Sequence, residues 1–245
     1  MSAIGSYPAG NRVLERSIGP RALAVAVVSM LVAWWGPAAG APNAGDAFVY
    51  QLKNGFNNEV VGKFRYEVGQ VDANRVTLTV SPDRLSQGDS RTEVLSADGN
   101  GLRQPLYSHG ELVEYEFAKA YPAYAFPLDP GKRWSERVKA NVSGSKQSRS
   151  VRVDGRVTGR ERVKVPAGEF DAIKIRRSVY AGDGEDFRQE TQIYEEEWYA
   201  PALNRWVKKV TRSEYMDMSQ CTRAGGCDIR GPWDIFELVE SGKGK

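Results

Sequence analysis

Glu195-Glu196-Glu197 stand directly before Trp198-Tyr199. In a strand, Glu195 and Glu197 share one face and Glu196 takes the other. Two carboxylates on one face beside aromatic rings can hydrolyse glycosides. The same triplet also reads as a solvated strand face, with Lys208 and Lys209 available to pair across a hairpin. The single histidine, His109, lies in Tyr107-Ser108-His109-Gly110. It could serve a Ser-His-Asp arrangement, but no G-x-S-x-G elbow accompanies it, and a hairpin-tip histidine is the simpler reading. Asp183, Glu185 and Asp186 are hard oxygen ligands on a turn and could hold calcium. Their spacing is not that of an EF-hand loop, so a plain acidic turn is favoured. There is no phosphate-binding loop and no dinucleotide fingerprint. No catalytic, cofactor or metal residue is therefore assigned.

Cys221 and Cys227 are the two cysteines, and Ala224-Gly225-Gly226 between them lets the chain turn. In an exported protein such a pair reads as a disulfide. Closing so short a loop is worth roughly 2 kcal/mol on the chain-entropy model, enough to pin one loop but not to staple a fold. Neither C-x-x-C spacing nor a nearby histidine supports a redox or metal role. The aromatics Tyr124, Phe126, Trp134, Trp198, Tyr199, Trp206 and Trp233 have two readings. They fill a β core, or they line a hydrophobic cavity that would suit an acyl chain or other apolar ligand.

The elements that must position these residues are strands. Arg75 to Val80 alternates strictly, with Val76, Leu78 and Val80 on one face. Tyr66-Glu67-Val68, Val151-Arg152-Val153, Ile173-Lys174-Ile175 and Phe236-Glu237-Leu238 repeat the period of two. Turn signals lie at Asp98-Gly99-Asn100-Gly101, Asp154-Gly155 and Gly182-Asp183-Gly184. Glu111 to Ala120 fits a strand better than a short helix. Ten to twelve strands result. The predicted class is all-β: an antiparallel, strongly curved sheet, or a sandwich or partly closed barrel. Tyr121 to Gly131 carries Pro122, Pro127 and Pro130, which a central strand excludes. It divides a single β domain, 41–245, into possible halves of about 46–127 and 128–240 that share one core.

Ahead of that domain, Arg12, Arg16 and Arg21 precede a fourteen-residue apolar run, Ala22 to Trp35, then Gly36-Pro37 and small residues. This is the order of a signal peptide, 1–40. The run is shorter than the roughly 20 residues a spanning helix needs, so no permanent membrane span is expected after cleavage. Cutting after Gly40 keeps Pro42 away from the junction; cutting after Ala41 gives the tidier small-x-small pattern. The net charge is +3, and the segment up to Gly40 holds three arginines against Glu15, so about +1 remains for the rest. Basic and acidic residues alternate there, which argues against a nucleic-acid face.

Gly159 to Ile175 contains Val163-Lys164-Val165-Pro166-Ala167-Gly168-Glu169-Phe170-Asp171-Ala172. It resembles a segment of exported bacterial proteins of unknown function, the DUF3108 family. Glu197-Trp198-Tyr199-Ala200-Pro201, Arg205 to Lys208, and Phe126 to Trp134 are similar to neighbouring parts of that family. The resemblance covers roughly residues 120 to 212. It implies a periplasmic or envelope β protein and brings no activity with it. The residues also explain themselves as folding grammar: Pro166-Ala167-Gly168 is a tight turn between two apolar-faced strands.

The leading expectation is an exported, periplasmic or secreted, non-enzymatic protein. It would bind an apolar, lipid-like or envelope ligand, or a partner protein, in its concave sheet. One alternative is a hydrolase of cell-envelope polymers working through Glu195, Glu197 or His109. Another is a structural or assembly factor that pairs through an exposed strand edge.

Overall fold

The computed structural model describes residues 42–242 except 85, 87 and 222–226. The signal segment and both candidate cut sites lie outside the described residues. Twelve antiparallel strands close into a barrel, each paired with its neighbours in sequence and β1 with β12. The strands are β1 Ala47–Asn54, β2 Val60–Val71, β3 Arg75–Pro82, β4 Arg91–Ser96, β5 Gly101–Ser108, β6 Glu111–Tyr121, β7 Arg133–Val142, β8 Ser148–Val165, β9 Gly168–Tyr180, β10 Gln192–Ala200, β11 Arg205–Met216 and β12 Asp228–Gly242. The predicted all-β class and strand count therefore hold, and so does the strand over Glu111 to Ala120. No described helix is long and apolar enough to cross a membrane.

The period of two decides what faces inward. On β9, Ile173, Ile175, Arg177 and Val179 are buried, while Lys174, Arg176, Ser178 and Tyr180 are not. Val151, Val153 and Val157 of β8 join the same core, with Tyr115 and Phe117 of β6. Opposite walls meet across the interior. The Tyr107 hydroxyl of β5 donates to Asp234 of β12. On one side of the barrel, across β12, the Tyr50 hydroxyl of β1 donates to the Trp206 carbonyl of β11 at 2.7 Å. A second cluster gathers Tyr50, Tyr66, Leu78, Val80, Trp206 and Leu238.

Two local devices shape the wall. A bulge in β8 shifts its register on β9 between Val157 and Gly159. A one-residue shift exchanges faces. Beyond it Val163 and Val165 pack with Ala172, Trp198 and Leu238, and the hairpin tip reaches β12, where the Ala167 amide donates to the Leu238 carbonyl. The second device is Gly155. Asp154-Gly155 reads as a turn in the sequence but lies in mid-strand. A Cβ on Gly155 would sit 2.0 Å from the Trp134 indole; the glycine makes room for a ring rather than for a bend.

The proline segment 122–132 links β6 to β7 without entering the sheet. Ala123, Tyr124 and Leu128 within it are buried. Its backbone is held from below: the Trp134 indole donates to the Pro122 carbonyl at 2.9 Å, and Arg177 donates to the Ala123 carbonyl at 3.0 Å. Cys221 and Cys227 are disulfide-bonded.

Candidate functional site

Glu195 and Glu197 point inward from β10 and are 4% and 2% exposed, so neither belongs to a solvated face. Arg177, opposite Glu195 in register, bridges them. Its Nε donates to Glu195 at 2.7 Å and its Nη2 to Glu197 at 2.6 Å. Lys209 of β11 reaches the other Glu195 oxygen at 2.9 Å, while Lys208 turns outward to Glu237 at 3.0 Å. The Tyr124 hydroxyl donates to Glu197, and the Tyr121 hydroxyl lies 3.4 Å from Glu195. The proline segment thus completes the network through Tyr124 and the Ala123 carbonyl.

The electrostatics follow from this crowding. Burial pushes the Glu195 carboxyl up, but Lys209 and Arg177 outweigh it and hold it down at about 2. Burial pulls Lys209 down, and Glu195 with Glu197 more than reverse that. Burial and then Glu197 push the Tyr124 hydroxyl well up. A carboxylate that stays ionised to about pH 2 cannot act as a general acid near neutrality. At 4% exposure and with donors on both its oxygens, it is not presented to a substrate either. Buried, paired charges of this kind fix geometry at a desolvation cost.

His109 stands at the β5–β6 hairpin tip with φ 47°. Its backbone amide donates to Thr191 Oγ1 at 2.8 Å, and its ring lies 3.8 Å from Asp183. Asp183 accepts from the Thr191 amide at 2.6 Å and its hydroxyl at 2.7 Å. Asp183 thereby folds the acidic turn back on itself, and Glu185 and Asp186 remain outside, exposed. Among the described residues no cluster of metal-ligating side chains forms.

The seven aromatics separate. Tyr124, Phe126 and Tyr199 pack on one another at 5.1–6.0 Å in the interior. Trp206 stacks on Tyr50 at 3.9 Å. Trp198 is buried with Val163 and Val165, has Lys174 4.4 Å from its ring centroid, and donates to Glu161. Trp134 and Trp233 border open space.

That space is a groove of about 940 Å³ across β7 to β12. Most of its lining comes from outward-facing residues in two registered rows. One row runs Arg133, Arg156, Arg176, Glu196, Val210. The other runs Ser135, Asp154, Ser178, Tyr194, Arg212, Trp233. Arg176 meets Glu196 at 2.7 Å, and Ser135 donates to Asp154 at 2.6 Å. The Arg212 guanidinium lies 5.4 Å from the Trp233 ring centroid. Trp233 in turn fills the space beside Gly55 and meets the exposed Phe56. None of the four arginines stands out in the sequence, because each sits on a different strand. Only the pairing register brings them together.

No family model matches the chain, and no curated protein matches it. Solved structures similar to it include a protein described as exported, with a YmcC-like fold, from Bacteroides fragilis. It is 16% identical, with a TM-score of 0.45, over 83% of this chain and 98% of that one. A protein described as a lipoprotein, from Parabacteroides distasonis, is 12% identical with a TM-score of 0.48 over 83% and 98%. The lipoprotein YmcC of Escherichia coli is 11% identical with a TM-score of 0.37 over 80% and 83%. At these values the likeness carries no argument about function.

Proposed function

We propose that the chain is an exported envelope protein that binds a ligand without transforming it, and that it does so in the groove on the outer face of β7–β12. The groove itself carries the reading: about 940 Å³ of concave space where the strands show arginine, serine and aromatic side chains together. That volume lies within the range of ligand sites. The interior supports it by contrast, since side chains from opposite walls meet there and Glu195 and Glu197 are consumed by Arg177, Lys209 and tyrosines. Export rests on the basic-apolar-small order of residues 12–41, with the disulfide and the DUF3108-like segments in keeping. Pairing through a sheet edge has little to draw on, because each strand has a neighbour on both sides.

Ser178 stands in the middle of one groove row, between Asp154 and Tyr194. Ser178→Trp fills the groove and leaves every charge in place. Native mass spectrometry of wild-type protein purified from the envelope should show a non-covalent adduct that Ser178→Trp lacks. A wild type without an adduct, or an adduct retained by a folded Ser178→Trp protein, overturns the reading.

A further inference from the structure

Arg133, Arg156 and Arg176 stand side by side on three adjacent strands, in direct register. Like charges directly opposite one another destabilise an antiparallel pair. Of the three, Arg176 is answered by Glu196 at 2.7 Å. Among the described residues, Arg133 and Arg156 have neither an ion pair nor a hydrogen-bonded acceptor. Some outer arginines on the strands are answered. Arg65 meets Glu67, Arg103 meets Glu114, and Arg162 meets Asp171. Arg75, Arg137, Arg160 and Arg230 are exposed without a side-chain partner among the described residues too; Arg133 and Arg156 differ in being direct cross-strand neighbours, and they lie on the rim of the wall that forms the groove.

We infer that Arg133 and Arg156 form an oxyanion site, which takes a phosphate or carboxylate group of the groove's ligand. Adjacent strands lie about 4.8 Å apart, so two guanidinium groups from neighbouring strands converge on a single oxyanion. Guanidinium forks bind such groups bidentately and tolerate partial desolvation better than ammonium. Arg212 stands farther along the groove, four strand spacings or roughly 19 Å from the β7 position before curvature. It has a ring beside it but no carboxylate, and it offers a second charge to an extended ligand. Asp154 and Glu196 interrupt the positive field between these points. A ligand with separated charges fits that pattern better than a continuous polyanion.

This inference rests on the groove reading and sharpens it to a ligand chemistry. Its test uses inorganic pyrophosphate by calorimetry, and vesicles containing phosphatidylglycerol by sedimentation, with phosphatidylcholine vesicles as the neutral control. Arg133→Ser/Arg156→Ser removes the pair, Ser178→Trp fills the groove, and Arg160→Ser/Arg162→Ser removes two cations on β8 that do not line the groove. Wild type should bind one of the two anionic probes, in a salt-sensitive way. Arg133→Ser/Arg156→Ser should weaken that binding at least about tenfold, and Arg160→Ser/Arg162→Ser by less than about twofold. Soluble pyrophosphate binding identifies a free oxyanion; binding to phosphatidylglycerol vesicles alone identifies a lipid headgroup. Failure to bind either probe overturns the inference, as does equal loss in the two arginine double variants. If Arg133→Ser/Arg156→Ser retains the envelope-derived adduct and Ser178→Trp does not, the groove stands and the oxyanion site falls.

Discussion

Strands β9, β10 and β11 present two faces whose charges are handled in opposite ways. Inward, Arg177, Glu195, Glu197 and Lys209 are close to fully paired, and a tyrosine hydroxyl and a backbone carbonyl take up remaining valences. Outward, one residue along on β9 and β8, Arg176 shares its row with Arg156 and Arg133, and only one of the three finds a carboxylate. Water explains the tolerance: an exposed guanidinium is solvated, whereas a buried one needs compensating contacts, and the buried Arg205 of β11, which meets no carboxylate among the described residues, lies against the rings of Phe48, Tyr66 and Trp206. It does not explain why the outer row collects cations at all. A closed β wall can use one face to hold itself together and leave the other chemically unfinished, and the unfinished face is where a ligand adds something.

The largest effect should come from breaking the inner face. Arg177→Met leaves Glu195 and Glu197 buried with their shared partner gone, and frees the Ala123 carbonyl. Removing one member of a buried ion network costs about 3–5 kcal/mol. Arg176→Met, one residue away and facing out, should cost under about 0.5 kcal/mol. Urea denaturation of the two variants measures the gap. Similar midpoints for both would mean that the inner network contributes little.

A smaller, pH-dependent effect separates the faces by titration. Glu195 is held at about 2, against 4.5 when unperturbed. Its folded pKa is depressed, so between those values the unfolded chain binds the extra proton. Its contribution is fully present above about pH 4.5 and is lost as pH falls toward 2. Glu195→Gln should flatten the stability profile in that window, measured by urea midpoints from pH 2 to 6. An unchanged slope would mean that Lys209 and Arg177 do not hold the carboxylate as their distances imply.

The two faces were unequally legible in the sequence. Strict alternation marks β3, and Pro166-Ala167-Gly168 marks the β8–β9 hairpin, because both signals are local. Gly155 misleads, because its cause is Trp134, some twenty residues earlier and on another strand. The Glu195–Glu197 pair is visible, yet its role is not. Arg177 and the proline segment decide that role from far along the chain, and solvent, hydrolysis and structure all use the same triplet. The arginine row is invisible until register is known. Even counting back from the hairpin turn misses it, since the bulge between Val157 and Gly159 shifts the partner of Arg156 by one.

The smallest effect probes the outer face and carries the opposite sign. Arg156 is flanked by Arg133 on one side and Arg176 on the other. Arg156→Glu turns two repulsive cross-strand pairs into attractive ones, each worth about 0.2–1 kcal/mol. Solvent exposure of all three places the sum at the low end of that range. The variant should therefore unfold at a slightly higher urea concentration than wild type, and the gain should shrink in 1 M salt as screening removes the repulsion it relieves. Stability and binding should part company here, since the same change puts a carboxylate into the proposed oxyanion site and should abolish pyrophosphate or headgroup binding. Were Arg156→Glu instead destabilising at low salt, the arginines would be making contacts that matter to the fold. The contrast between a finished inner face and an unfinished outer one would then fail.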